Sequence, residues 1–151
     1  MRPYRYAGTT RVWLADLGLA CCAVEVAAAA TGRPDLLRAE TDDDPEPDTD
    51  VLLVSGTVTD VLAPLVVRRH RELAEAARVL RVVSVGACAD AGGPYWDSYA
   101  VTKGVDQVVA VDVWIPGCPP RPEALLAVLE SLTARDPCEN GPHVGLISQG
   151  S

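Results

Sequence analysis

Short runs rich in Val and Leu alternate along this sequence with stretches of helical periodicity, and Gly or Pro marks most of the boundaries. Continuous apolar runs of about four to eight residues bounded by turn residues are typical of strands covered on both faces. The predicted strands are residues 12–17, 35–39 (an edge strand), 51–55, 79–85 and 108–113. The predicted helices are residues 22–30, 63–77 and 122–132, and residues 86–94 are predicted to form a glycine-rich turn.

Strands that alternate with helices at this spacing predict an α/β fold in three layers, with a mostly parallel sheet between helices. The chain has 151 residues, of which 48% are hydrophobic, so it can bury one substantial core. We expect a single domain over residues 1–135 and a loose C-terminal tail over residues 136–151, where Pro, Gly, Asn and Ser dominate.

The charge balance excludes several classes of function. There are 13 basic and 21 acidic residues, a net charge of −8, so the chain lacks the basic face that nucleic acid requires. No uncharged apolar window reaches the roughly 18 residues of a membrane-spanning helix. Arg11 and Asp16 interrupt the N-terminal region before it becomes apolar enough for a secretory signal, so we expect the chain to stay in the cytosol.

Five cysteines then need an explanation, because cytosolic thiols stay reduced and an odd number fits a disulfide framework badly. Cys21 and Cys22 follow the first predicted strand, Cys88 follows the strand at residues 79–85, and Cys118 follows the strand at residues 108–113. The carboxyl ends of parallel strands lie at one edge of a sheet, where ligands usually bind, so these four thiols should converge there. Cys138 lies beyond the last helix and is interpreted as a bystander.

Four converging thiolates suit either zinc or an iron-sulfur cluster. The sequence lacks the C-x2-C pair common in structural zinc sites, and an adjacent pair directs its sulfurs apart, which favours a cluster. Inert buried thiols, a zinc site and a dithiol redox switch remain alternatives, since free cysteine is often simply buried.

Four motifs, in order and suitably spaced over about residues 12–132, resemble the B subunit of NADH:quinone oxidoreductase, respiratory complex I. This family also includes the small subunits of membrane-bound nickel-iron hydrogenases. The motifs are residues 18–25 (GLACCAVE), 56–59 (GTVT), 86–89 (GACA) with 92–95 (GGPY), and 111–126 (VDVWIPGCPPRPEALL).

The resemblance implies a flavodoxin-like domain that holds one 4Fe-4S cluster through Cys21, Cys22, Cys88 and Cys118. It implies a subunit, not catalytic alone, of a proton-translocating oxidoreductase, with the terminal cluster passing single electrons to quinone at the interface with the large D subunit. The other iron-sulfur and membrane subunits would be further partners, and the chain would be peripheral on the cytoplasmic side of the cell membrane. The alternatives are the cluster-bearing small subunit of a hydrogenase-like complex and a clusterless or zinc-binding structural partner.

Further residues are assigned supporting roles beside the four cysteines. Gly56, Gly86 and Gly117 are expected to let the backbone approach a bulky cluster and to offer N–H groups to it. Glu25, three residues after Cys22, is a candidate for a carboxylate that couples cluster reduction to protonation.

Residues 41–50 depart from the family pattern. This segment (TDDDPEPDTD) has six acidic residues and two prolines and lacks the arginine that the family carries there. Such a composition cannot form a core by itself, so it predicts a solvated connecting loop.

Overall fold

The computed structural model describes residues 3–16 and 21–133. Within these residues, the strands are β1 (Tyr4–Tyr6), β2 (Thr10–Asp16), β3 (Leu37–Ala39), β4 (Thr49–Ser55), β5 (Leu80–Val85) and β6 (Val113–Ile115). The α-helices are α1 (Cys21–Gly32), α2 (Ala63–Ala76), α3 (Ala87–Ala91) and α4 (Pro122–Thr133), and 3-10 helices cover Gly93–Tyr95 and Val105–Gln107. Cys138 and the tail predicted at residues 136–151 lie outside the described residues.

The described strands form one sheet in the order β3-β1-β2-β4-β5-β6. Strands β2, β4, β5 and β6 run parallel, whereas β1 pairs antiparallel with β2 on one side and with β3 on the other. The predicted mostly parallel sheet is therefore confirmed, with an antiparallel ribbon at one edge.

The sheet is covered on both faces because successive residues of β4 point in opposite directions. Val51 and Leu53 belong to a core shared with α1 and α4, and Leu52 and Val54 belong to a second core shared with α2. These four side chains are fully buried, which explains the uninterrupted apolar run. The three-layer α/β class is confirmed. None of the helices in residues 3–16 and 21–133 combines the length and the apolar character that a bilayer crossing requires.

Two sequence-based assignments between β5 and the end of β6 are wrong. The strand predicted at residues 108–113 begins only at Val113, because Val109 and Val111 are buried as loop residues in the α2-side core after the Val105–Gln107 helical turn. The glycine-rich segment at residues 86–94 is not a simple turn, since it contains α3 and the start of the Gly93–Tyr95 helix. Buried loop residues are as apolar as buried strand residues, so hydrophobicity alone predicts a strand that begins five residues before β6 does.

Three arginines lie side by side across the antiparallel ribbon. Arg5 of β1 is directly opposite Arg11 of β2 and Arg38 of β3, so the three project from the same face. We call Arg38, Arg5 and Arg11 the arginine row. The Arg5 side chain is only 1% exposed, which makes counter-charges necessary.

Glu40, which directly precedes the acidic segment at residues 41–50, and Asp44 within the segment supply those counter-charges. Glu40 pairs with Arg5 and accepts a 2.9 Å hydrogen bond from Arg11, while Asp44 pairs with Arg38. The backbone carbonyl of Pro45 accepts a further hydrogen bond from Arg5 at 2.8 Å. The prediction of a solvated connecting loop at residues 41–50 is therefore wrong for Asp44 and the Pro45 carbonyl, which contact the arginine row, and for Asp50, which belongs to β4. It holds for the other four acidic residues, which are exposed: Asp42, Asp43, Glu46 and Asp48.

Candidate metal centre at the carboxyl edge of the sheet

Three parallel strands deliver the four predicted cysteines to one edge of the sheet. Cys21 and Cys22 begin α1 after β2, Cys88 lies in α3 directly after β5, and Cys118 lies three residues beyond β6. The carboxyl ends of these strands lie at the same edge, as their parallel pairing requires. The structure thus brings together the segments that carry all four residues.

The four cysteines are free thiols that form two pairs by exposure: Cys22 and Cys88 are buried, and Cys21 and Cys118 are exposed. The pKa of Cys22 is raised to about 11, first by burial and then by the neighbouring thiols Cys21, Cys88 and Cys118, all of which act in the same direction. Every other thiol of the set is therefore near enough to act electrostatically on Cys22. The four thiols therefore form one group, in which the inner side is buried (Cys22 and Cys88) and the outer side is exposed (Cys21 and Cys118).

Gly86 lies at the junction of the cysteine-bearing segments. A Cβ atom at Gly86 would lie 2.5 Å from the Cys22 Sγ, so the backbone is in contact with the thiol there. Its N–H donates to the Ile115 carbonyl at 2.8 Å, and the N–H of Ala87 donates to the Gly117 carbonyl at 2.8 Å. The residues that follow β5 are therefore hydrogen-bonded to the end of β6 and to the residues after it. At Gly86, this same backbone contacts the Cys22 thiol.

Other glycines shape the same edge. A Cβ at Gly93 would lie 2.8 Å from the Cys88 Sγ, so a second thiol is approached by bare backbone. Gly117 has a φ of +148° and folds tightly onto Pro120, whose Cα would lie 2.5 Å from a Cβ there. Gly56 directly follows β4 with a φ of +93°. The structure places Gly86 in contact with a thiol, and it places Gly56 and Gly117 in the strand exits around it.

The four thiols match the number of ligands of the 4Fe-4S cluster that the sequence resemblance implies. A 4Fe-4S cluster takes one thiolate at each of its four irons and so needs thiols spread around it, with close backbone on the remaining sides. Four free thiols on three separate segments, with glycine backbone against Cys22 and Cys88, fit that requirement.

Two carboxylates stand close to the cysteines in sequence. Glu25 is half-buried on α1, three residues after Cys22, and its proposed coupling to protons stays a prediction. Asp90 was not singled out from the sequence. Burial raises the pKa of Asp90 to about 6. The hydrogen bond that the Ser84 hydroxyl donates to it at 2.6 Å acts in the opposite direction and lowers the pKa. The available signal was an acidic residue inside the otherwise small and apolar stretch GACADAGG.

Exposed aromatic side chains border the segments that carry Cys88 and Cys118. Tyr95, Trp96 and Tyr99 follow α3 and are 57%, 63% and 98% exposed, and Trp114 of β6 is 40% exposed. Large apolar side chains grouped on a surface commonly mark an interaction site. These residues do not pack into the described core.

Gly86→Ala is expected to weaken the site at its junction. Gly86 has φ 84° and ψ 159°, a region almost restricted to glycine, so the backbone alone should cost about 1–3 kcal/mol. The new Cβ would also displace the Cys22 thiol. Gly8→Ala is the matched control, because Gly8 has a φ of +80° but its Cβ would meet nothing within 4 Å. Denaturant unfolding and bound iron per chain should both fall more for Gly86→Ala, and equal effects would contradict the contact with Cys22.

The sequence of the chain is similar to known proteins of one family. A family model described as "NADH ubiquinone oxidoreductase, 20 Kd subunit" matches residues 20–132. The chain is 53% identical over 117 residues to an NADH-quinone oxidoreductase B subunit of Streptomyces griseus subsp. griseus, and the match covers 76% of the chain and 48% of that relative. It is 50% identical over 118 residues to an NADH-quinone oxidoreductase B subunit of Salinispora tropica, covering 76% of the chain and 61% of the relative. The chain therefore matches about half to three-fifths of the length of these relatives.

Solved structures share the fold. A chain of the membrane-bound sulfane sulfur reductase, an archaeal respiratory membrane complex, is 27% identical with a TM-score of 0.54, over 82% of this chain and 67% of that one. A chain of an NAD+-reducing nickel-iron hydrogenase is 20% identical with a TM-score of 0.52, over 91% of this chain and 96% of that one. At this identity the second likeness concerns the fold alone.

Proposed function

The chain belongs to the family of the 20 kDa subunit of NADH:ubiquinone oxidoreductase, and we propose that it is an electron-transfer subunit with one 4Fe-4S cluster on Cys21, Cys22, Cys88 and Cys118. Membership confirms the resemblance found in the sequence. The observation that carries the proposal is the convergence of four free thiols on one sheet edge, with the Gly86 backbone against Cys22. Such a cluster, when bound, would accept and release single electrons.

Each cysteine has a distinct place in this proposal. Cys22 and Cys88 are buried and would hold the inner side, away from water, while Cys21 and Cys118 would hold the outer side. Gly86 and Gly93 keep side chains out of the space next to the two buried thiols. Burial of ligands and backbone N–H groups near the sulfurs are two means by which a protein sets the reduction potential of such a cluster.

The family relationship supports a proposal for the electron acceptor and the partners. The relatives carry the name NADH-quinone oxidoreductase, and we propose quinone as the acceptor at an interface with a large D-type subunit. Other iron-sulfur and membrane subunits would deliver electrons and anchor the chain at the cytoplasmic face of the cell membrane. The exposed Tyr95, Trp96 and Tyr99 support a covered surface close to Cys88.

A second candidate is the cluster-bearing small subunit of a hydrogenase-like complex. It is favoured by the similarity to the archaeal respiratory membrane complex, at 27% identity over most of the chain. The two candidates differ in the large subunit that accompanies the chain. Co-purification from the native cells should recover that subunit, and nickel in the complex would select the hydrogenase-like alternative.

Anaerobic reconstitution of the full chain tests the cluster directly. We expect about four irons and four sulfides per chain and, after reduction, the electron paramagnetic resonance signal of one 4Fe-4S centre. The sample should be brown. A colourless chain that binds one zinc and no iron would reject the cluster and support the zinc-binding structural alternative.

A further inference from the structure

A buried hydroxyl and a carboxylate connect β5 to α3 next to the proposed ligand Cys88. The hydroxyl of Ser84, which is fully buried, donates a 2.6 Å hydrogen bond to Oδ1 of Asp90. Ser84 interrupts the apolar residues of β5, and a buried hydroxyl needs a partner. Valine at this position would supply apolar packing, so the packing of the sheet does not explain the Ser84–Asp90 pair.

The Ser84–Asp90 hydrogen bond links β5 to helix α3, which is too short to be stable by itself. Helix α3 has five residues, far fewer than an isolated helix needs in water. Its first turn is closed by the Asp90 N–H, which donates to the Gly86 carbonyl at 3.0 Å, and its end by the Gly92 N–H, which donates to the Cys88 carbonyl at 3.0 Å. The Asp90 side chain adds the connection back to the strand.

Neighbouring backbone also packs tightly against this end of α3. A Cβ at Gly104 would lie 2.5 Å from the Asp90 carbonyl oxygen and 2.5 Å from Oδ1 of Asp106. Displacement of Asp90 would therefore disturb the 104–106 segment on one side and the Cys88-bearing turn on the other. The hydrogen bond from Ser84 is placed to prevent that displacement.

We propose that Asp90, held by Ser84, is a positioning residue that fixes Cys88 relative to Cys22. The inference rests on the proposed function, in which Cys88 is a cluster ligand. It assigns the role to the hydrogen bond and not to the charge of the carboxylate. Asparagine keeps an oxygen that can accept from Ser84, whereas alanine does not, so the two substitutions separate these explanations.

The test uses the reconstituted full chain and measures the release of iron to a chelator and the resonance spectrum of the reduced cluster. Asp90→Ala and Ser84→Ala should each release iron roughly three- to tenfold faster than the wild type and shift the resonance, and the double variant should add little, because one hydrogen bond is lost in every case. Asp90→Asn should stay close to the wild type. Asp97→Ala, at an exposed carboxylate of the following turn, is the matched control and should change nothing.

A second measurement separates a failure of the positioning role of Asp90 from a failure of the proposed cluster function. In the cluster-free chain, alkylation of the buried Cys88 should be faster in Asp90→Ala than in the wild type, Asp90→Asn or Asp97→Ala. A wild type that takes up no iron would reject the proposed function, and the alkylation rates would still decide the inference. Wild-type behaviour of Asp90→Ala in alkylation, or asparagine behaving like alanine, would overturn it.

Discussion

Replacement of Cys118 by Ser is expected to lower the iron bound per reconstituted chain by more than about tenfold, since each iron of a cubane takes one thiolate. Cys118 lies beyond β6 and is exposed, and the other free cysteines of the described residues are already assigned to the cluster. A serine hydroxyl is almost never ionised at neutral pH and does not replace the thiolate. Iron and sulfide analysis after anaerobic reconstitution measures the loss.

The exposure of Cys118 makes this variant informative, because an exposed Cys→Ser exchange removes little packing. Circular dichroism of the variant should therefore match that of the wild type while the brown colour is absent. Cys138→Ser is the control and should keep the cluster, because Cys138 is not one of the four proposed ligands. Loss of the cluster in Cys138→Ser together with its retention in Cys118→Ser would overturn the ligand assignment.

The centre of the sheet could be predicted because burial on both faces leaves a clear mark in the sequence. The run at residues 51–55 corresponds to the buried part of β4, and the run at residues 79–85 corresponds to β5. Once these strands were recognised as parallel, the cysteines that follow strands had to meet at one edge. The placement of the cysteines therefore depended on topology and did not require side-chain detail.

Features that depend on distant partners could not be predicted in the same way. The sequence does not predict strand β1, because this strand is three residues long and carries a buried arginine where an apolar residue would be expected. The structural contacts of residues 41–50 are not visible in the sequence either, because Arg5 lies 40 positions before Pro45, whose carbonyl accepts its hydrogen bond. The Ser84–Asp90 contact likewise becomes visible only when α3 is known to exist.

The arginine row explains how acidic side chains in and next to residues 41–50 can be structural. One oxygen of Glu40 accepts from both Arg5 and Arg11, and Asp50 adds a second carboxylate 3.6 Å from Arg11. Trp13 donates its indole N–H to Asp50 at 2.7 Å, and the Arg69 guanidinium of α2 lies 4.3 Å from the centre of the Trp13 ring. The contacts thus continue along the same face of the sheet from the antiparallel ribbon to helix α2.

Glu40→Ala is accordingly expected to destabilise the chain by about 3–5 kcal/mol, the usual cost of leaving a buried charge without its partner. Arg5 is 1% exposed, and its Nε and Nη1 atoms already lack hydrogen-bond partners, so after the substitution only the Pro45 carbonyl would remain. Denaturant unfolding of the full chain, followed by circular dichroism, measures the change. Glu40→Gln should cost less, because an acceptor oxygen is retained.

The matched control is Glu46→Ala, since Glu46 also approaches Arg11, at 3.7 Å, but its side chain is 91% exposed. Solvent screening should limit its effect to about 0–1 kcal/mol. Simultaneous replacement of Arg5 and Glu40 by Met should recover much of the loss, because removing both members of a buried pair avoids the unpaired charge. If Glu40→Ala were no more harmful than Glu46→Ala, the arginine row would be solvated in solution and Glu40 would have no structural role.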